Sequence, residues 1–362
     1  MYISEVSGHR SATMAIEKAI KELNPAAEIL NINAFNYTNP ISEKVINRIY
    51  MEVIKRTPKI WDYLYDNPSV VKGLEQIKKY VHRSNSPKLK KLFDSFKPDL
   101  VVCSQAFPCG MVADYKKTSG VKLPLVAVLT DYIPHSYWVY DTVDYYITPS
   151  EEVSSRLEKK GIPPEKIKAL GIPFDHKFNE KLDSESIFHK LKLRTRNPIL
   201  IMGGGQGLGP IKTILKSLEK SKHEFSELIV TGTNKKLFRS LKRKVKHCKK
   251  DIHLFGFINN IHELMYIAKA IISKPGGVTT AEVLSKGLPM IIVKPIPGQE
   301  INNTNFLTQK GAAIEVDDPE IVHKIVDELF EDRSKLEQLR LAALKIAKPQ
   351  ASMDIAKLIL SL

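Results

Sequence analysis

Two glycine-rich turns, each set between an apolar run and a helical pattern, hold the residues best suited to chemistry. The first is Met202-Gly203-Gly204-Gly205-Gln206-Gly207-Leu208-Gly209-Pro210. Gly204, Gly205 and Gly207 let the backbone approach a phosphate, and the helix start offers free N–H donors. A merely tight turn fits the same residues. The second is Lys274-Pro275-Gly276-Gly277-Val278-Thr279-Thr280-Ala281-Glu282. Gly276 and Gly277 can expose N–H groups to a diphosphate. Thr279 and Glu282 stand three apart and share one face of the helix start. A carboxylate there can accept two ribose hydroxyls, or it can close a T-x-x-E capping box. Further on, Pro297-Gly298-Gln299-Glu300 brings donors and acceptors suited to sugar hydroxyls. Phe255-Gly256-Phe257-Ile258-Asn259 offers an apolar wall on which a base could rest.

The first half carries groups of a different kind. His9 follows Ser7-Gly8 at a strand-to-helix turn. An imidazole there can deprotonate an attacking hydroxyl, help worth ~10²–10⁴ in rate. It can also simply hold its own loop. Thr130-Asp131-Tyr132-Ile133-Pro134-His135-Ser136-Tyr137-Trp138 follows a second apolar run. Asp131 and His135 are placed to orient or assist a base, and Asp131 could equally cap its loop. The stretch 72–97 then sets eight Lys or Arg against Glu75 and Asp94, just after Trp61, Tyr63 and Tyr65. Cations such as Lys88, Lys90 and Lys91, with rings nearby, suit an anionic bilayer surface. The alternative is a solvated helix over an aromatic core. A second basic run, 235–250, has nine Lys or Arg and no acid, and reads as an exposed helix.

These groups need a frame. Apolar runs at 100–103, 125–129, 145–148, 199–202, 228–230, 271–272 and 290–293 read as buried strands. Amphipathic stretches such as 13–23, 151–160 and 211–219 read as helices between them. The alternation predicts α/β architecture with parallel sheets covered on both faces. The 362 residues fit two domains, with a boundary near 174. Two doubly wound domains would face a cleft at the carboxyl ends of their strands. Met1-Tyr2-Ile3-Ser4 reads as the end of a strand too short for a buried parallel position, which suggests residues upstream.

Composition narrows the class. The net charge is +15 and 43% of residues are hydrophobic, a globular chain with affinity for polyanions. Cys103, Cys109 and Cys248 form no C-x-x-C pair, which fits reduced thiols. No apolar run approaches the ~18 residues of a membrane span.

The succession G-G-G-x-G-x-G-P, G-F-x-x-N, K-P-G-G-x-T-x-x-E and P-G-Q-E resembles glycosyltransferase family 28. It is most similar to the diacylglycerol glycosyltransferases and monogalactosyldiacylglycerol synthases. The segment around Trp61 and the T-D…H-x-x-W motif look the same way, with Tyr140 where many members carry a second histidine. The resemblance implies two Rossmann-like domains of the GT-B type. It divides the chain into 1–174 for acceptor and membrane, 175–346 for the UDP-sugar, and 347–362 as a helix kinked near Pro349 that returns to the first domain. It implies Gly276, Gly277 and Thr279 near the diphosphate, Glu282 on the ribose, Gln299 and Glu300 on the hexose, and Ile258 facing uracil through its backbone. It places His9, Asp131 and His135 with the acceptor hydroxyl, and Trp138 with Trp61, Tyr63 and Tyr65 at the acceptor or membrane. The expected reaction is an inverting transfer of glucose or galactose from UDP-hexose to a glycerolipid. Its expected place is an anionic membrane surface, peripherally, on the cytoplasmic face. No D-x-D is present, so no metal or other cofactor is expected. The rivals are a UDP-N-acetylglucosamine transferase acting on a lipid-linked peptidoglycan precursor, a UDP-sugar 2-epimerase, and a basic nucleic-acid-binding protein. The last would leave the glycine turns unexplained, so no nucleic acid is expected.

Overall fold

Apolar runs with no room for alternation become parallel strands buried on both faces. The computed structural model describes residues 1–38, 86–134, 136–245, 248 and 250–362. These fall into two units. One contains Met1–Asp175, Pro297–Gln299 and Gln350–Leu362; the other contains His176–Ile296 and Glu300–Pro349.

In the first unit the chain runs through α1 (Gly8–Leu23), β1 (Val101–Cys103), α2 (Ala106–Ser119), β2 (Leu125–Val128), β3 (Tyr145–Ile147), α3 (Glu151–Glu158) and β4 (Ile167–Lys168). The strands lie in the order β1-β2-β3-β4, all parallel. Tyr2 forms a parallel bridge with Asn33, and Met1 O accepts from Ser104 N–H at 3.1 Å, so the first residues extend this frame past β1. Alternate residues of β2 serve different cores. Leu125 and Ala127 pack with Cys103, Trp138 and Tyr146, while Val126 and Val128 pack with Ile16, Ala19, Ile355 and Ile359. Both faces of the sheet are therefore covered, as parallel strands require.

The second unit contains β5 (Ile199–Met202), α4 (Ile211–Leu218), β6 (Ser226–Val230), α5 (Lys235–Val245), β7 (Asp251–Phe255), α6 (Ile261–Ile267), β8 (Ala270–Ser273), α7 (Gly277–Ser285), β9 (Met290–Val293), α8 (Gln299–Gln309), β10 (Ala313–Val316), α9 (Val322–Glu331) and α10 (Arg333–Ile346). Its six parallel strands are ordered β10-β9-β8-β5-β6-β7. Winding proceeds outward from β5 through β6 to β7, then reverses through β8, β9 and β10. The reversal lies between β5 and β8, where open α/β sheets bind ligands at the strands' carboxyl ends.

Three strands went unread in the sequence. β4 has two residues, and β7 and β10 are sheet edges. Every residue of β7 is only half-buried, and β10 has Glu315 exposed, so neither carries a continuous apolar run. The last helix lies within the expected stretch 347–362 and is grouped with the first unit. α10 stops at Ile346, and α11 (Ala351–Leu360) begins after the Ala347–Gln350 break that contains Pro349. Pro349 cannot extend an i→i−4 ladder through this point. No described helix is long and apolar enough to cross a membrane.

α11 seals the first unit against α1. Ile355 is fully buried and sits in one cluster with Ile16, Ala19, Val126 and Ile147. Ser352 fixes the approach, donating from Oγ to Phe174 O and accepting from Phe174 N–H at 3.0 Å. Ile355→Ala should lower the stability of this unit by ~2–5 kcal/mol, the range for emptying a packed aliphatic site. Urea denaturation followed by tryptophan fluorescence measures it. An unchanged midpoint would mean that α11 is not part of the folded unit's core.

Candidate functional site

The switch point of the second sheet is built by the loops that follow β5 and β8. The β5 loop is closed on itself by Gly207 N–H to Gly204 O at 3.0 Å and Leu208 N–H to Gly203 O at 2.9 Å. The loop after β6 ties it down from the side, with Thr233 N–H on Gly205 O at 2.9 Å and Asn234 Nδ2 on Gly207 O at 3.1 Å. This tightness sorts the glycines by purpose. A Cβ at Gly203 would stand 2.0 Å from Leu208 O, and one at Gly207 1.9 Å from Thr231 O. Those two serve the loop's own closure, and Gly207 in particular spends its N–H inside the turn. Gly204, at φ +65°, has nothing within 4 Å of its missing side chain, and neither has Gly276. These are the glycines whose backbone a ligand can approach.

The β8 loop supplies the second wall. Gly276 is the N-cap of α7 and offers no capping side chain. The first-turn N–H groups of Gly277, Val278 and Thr279 have no acceptor within the helix. No acid occupies that turn, so it presents the positive end of the helix dipole. Thr279 lies inside α7 rather than before it, so the alternative of a T-x-x-E capping box does not describe this turn. Glu282 follows three residues on, half-buried on the same helix.

Glu300 is held in place by two donors. Lys274 Nζ reaches Glu300 Oε1 at 2.8 Å and Ile296 N–H reaches Oε2 at 2.7 Å. Only about a tenth of the Lys274 side chain is exposed, and a Cβ on Gly209 would lie 3.6 Å from its Cδ. Lys274 therefore links the first glycine loop to the residue expected on the hexose. It was not singled out from the sequence, although it opens the K-P-G-G motif. Ile258 lies half-buried in the loop after β7, beside Phe257, which is 62% exposed. Asn259 O in this loop accepts from Lys177 Nζ at 2.7 Å.

In the first unit, His9 is the second residue of α1. Ser7 caps this helix, its Oγ accepting from Arg10 N–H at 3.2 Å. His9 Nδ1 lies 2.8 Å from Ser104 O and 3.1 Å from Thr130 Oγ1. A carbonyl can only accept, so Nδ1 carries the proton and Nε2 keeps its lone pair. Burial pushes the imidazole down to about 4, against a smaller upward pull from the Ser104 carbonyl. The ring is neutral near pH 7, with its free nitrogen in the form a proton acceptor needs. Ser104 and Thr130 were missed as partners, since nothing local in sequence ties positions 9, 104 and 130 together. Asp131 follows Thr130 in the loop after β2.

The remaining expected residues divide. Lys88, Lys90 and Lys91 are exposed on a helix spanning 86–96, with Lys90 paired to Asp94 at 2.5 Å. Trp138 corrects an expectation. It is 4% exposed and packs in the core with Leu125, Val143 and Tyr146, so it cannot stand at a membrane surface. His135, Trp61, Tyr63 and Tyr65 lie outside the described residues. Among the described residues, no group of three or more His, Cys, Asp or Glu is arranged to hold a metal ion.

Known proteins give this geometry a context. The family model for monogalactosyldiacylglycerol (MGDG) synthase matches residues 9–174, and that for the glycosyltransferase family 28 C-terminal domain matches residues 198–359. The processive diacylglycerol beta-glucosyltransferase of Bacillus cereus (strain ATCC 10987 / NRS 248) is 28% identical over 357 residues, covering 98% of this chain and 91% of that protein. Among solved structures, MurG of Acinetobacter baumannii is similar with a TM-score of 0.58 at 17% identity, over 78% of this chain and 79% of that one. Anabaena Alr3699/HepE, solved in complex with UDP, is similar with a TM-score of 0.55 at 15% identity, over 76% and 82%. At these identities the solved structures speak for the GT-B fold alone.

The depressed His9 value has a consequence for stability. Between about pH 6.5 and 4 the unfolded chain binds a proton that the folded chain refuses. Stability is then full above pH 6.5, falls as pH drops through this window, and levels off below it, a loss of ~3 kcal/mol from this group. His9→Asn should remove that part of the pH dependence. Urea midpoints of both proteins across pH 4–7 test it. Parallel curves would mean that His9 titrates at an ordinary value.

Proposed function

The chain belongs to glycosyltransferase family 28, in the monogalactosyldiacylglycerol synthase group, and from that premise we propose that it transfers a hexose from a UDP-sugar to diacylglycerol or a related glycerolipid at a membrane surface. The observation that carries the acceptor is the match of residues 9–174, the half expected to bind it, to the MGDG synthase family. The name of the Bacillus cereus relative agrees. The likeness to MurG is one of fold and gives no equal support to a peptidoglycan precursor. The donor reading rests on the switch point, with open backbone at Gly204 and Gly276 and an uncapped helix start at Gly277. HepE, of the same fold, was solved with UDP.

The proposed chemistry is a single displacement. The acceptor hydroxyl oxygen attacks the anomeric carbon of the hexose and gives its proton to His9 Nε2. The bond from that carbon to the β-phosphate oxygen breaks, and UDP leaves with the electron pair. The first-turn N–H groups of α7 meet the charge that grows on the diphosphate. Glu282 accepts the ribose hydroxyls. Glu300, fixed by Lys274, and Gln299 hold the hexose hydroxyls. Asp131 assists on the acceptor side. Fixed backbone dipoles take over leaving-group stabilisation, so the reaction proceeds without a divalent ion. The exposed cations Lys88, Lys90 and Lys91 bring this unit to an anionic leaflet from one side, as a peripheral contact.

Incubation with diacylglycerol vesicles and radiolabelled UDP-hexoses, followed by lipid separation, should yield a labelled glycolipid in excess chelator. His9→Ala should lower turnover by ~10²-fold or more with little change in UDP affinity, the pattern of a lost general base. Glu282→Ala should abolish UDP binding in calorimetry without lowering the melting temperature. Label transfer only to a soluble acceptor would refute the lipid reading, and unchanged UDP binding by Glu282→Ala would refute the ribose assignment.

A further inference from the structure

The helix α5 (Lys235–Val245) is charged in a way that the fold does not use. Lys235, Lys236, Arg239, Lys242, Arg243 and Lys244 are all exposed, and the run 235–250 contains no acid. None of these six forms an ion pair among the described residues. Elsewhere in the second unit some cations meet acids, as Lys190 meets Glu263 at 2.8 Å, and others such as Lys212 and Lys216 are exposed without an ion pair among the described residues; α5 differs by carrying six such cations on eleven residues with no acid among them. Within α5, Lys235 and Arg239, Lys236 and Arg239, Arg239 and Lys242, and Arg239 and Arg243 are like charges three or four apart, a destabilising spacing. Lys235 and Lys236 also sit in the first helical turn, which holds no acid, where the helix dipole favours anions. The helix persists because its other face is packed. Leu241 is fully buried, and Leu237 lies against the same core as Ile229. Asn234 Oδ1 accepts from Leu237 N–H at 2.9 Å and caps the start.

We propose that α5 is a second membrane contact, in the UDP-sugar unit, which binds anionic phospholipid headgroups through this unpaired basic face. The proposal rests on the glycerolipid reading for its choice of a lipid surface over other polyanions. Its contact differs in kind from an inserted amphipathic helix. The apolar side of α5 faces its own sheet, so nothing is left to enter the acyl layer. Binding is then purely electrostatic, through phosphates at headgroup level. Each cation near an anionic surface contributes about fivefold in partitioning, and all of it is screened by salt. Eleven helical residues span about 16 Å, so these cations can engage several headgroups together.

The triple variant Lys236→Glu, Arg239→Glu, Arg243→Glu tests this in the intact chain. Flotation with vesicles of equal parts phosphatidylcholine and phosphatidylglycerol should show partitioning reduced more than tenfold at low salt. High salt should erase the difference between variant and parent. UDP affinity and transfer to a detergent-dispersed acceptor should stay at the parent level, which shows the variant is folded. Equal flotation of variant and parent, or no flotation of the parent at low salt, would overturn the proposal. So would a variant that loses binding to a nucleic-acid competitor while keeping its vesicles. If the parent labels no lipid yet its flotation depends on these residues, the glycerolipid reading fails and the lipid contact stands.

Discussion

A backbone N–H group with no internal acceptor is the interaction on which the proposed donor site depends. Helices in the interior of a fold leave such groups only at their starts. A parallel sheet brings two helix starts together only where its winding reverses. In this chain the reversal falls between β5 and β8, and both following loops are glycine-rich. The other features at this point follow. Gly203 and Gly207 are needed to fold the first loop tightly, Gly204 and Gly276 keep the approach open, and Gly276 leaves the α7 start uncapped. Lys274 spans from this region to Glu300 and pairs with its carboxylate.

The first unit solves a different problem, again at the carboxyl ends of parallel strands. For the proposed role of proton acceptor, His9 must be neutral and must show the correct nitrogen. Burial at the start of α1 keeps it neutral, and the Ser104 carbonyl selects the tautomer. Both depend on the sheet, because Ser104 and Thr130 occupy loops after neighbouring strands. The α1–α11 packing supports the arrangement from behind, through Ile16, Ala19 and Ile355.

Much of this was legible from residue type and spacing. The central strands of both sheets announce themselves as unbroken apolar runs because both faces are buried. The glycine turns are legible because few other residues permit their backbone. The edge strands β7 and β10 were not, since an edge needs no such run. Contacts between distant segments were not legible either. His9 with Ser104, and Lys274 with Glu300, join residues that share only the end of a sheet. Trp138 shows the opposite failure. An aromatic inside a functional motif suggested a surface role, whereas its side chain fills the core behind that motif. Charge pattern alone likewise does not separate α5 from a solvated helix. What sets α5 apart is density: six exposed cations without ion pairs among the described residues, on one eleven-residue helix that contains no acid.

The central claim is that fixed backbone donors at the β5/β8 switch point hold the diphosphate. A crystal structure with UDP bound, grown with chelator present, tests it most directly. The account predicts diphosphate oxygens on the N–H groups at the start of α7, with ribose hydroxyls on Glu282 and open glycine backbone at Gly204 alongside. UDP seated elsewhere, or a diphosphate reaching the protein only through a metal ion, would contradict it.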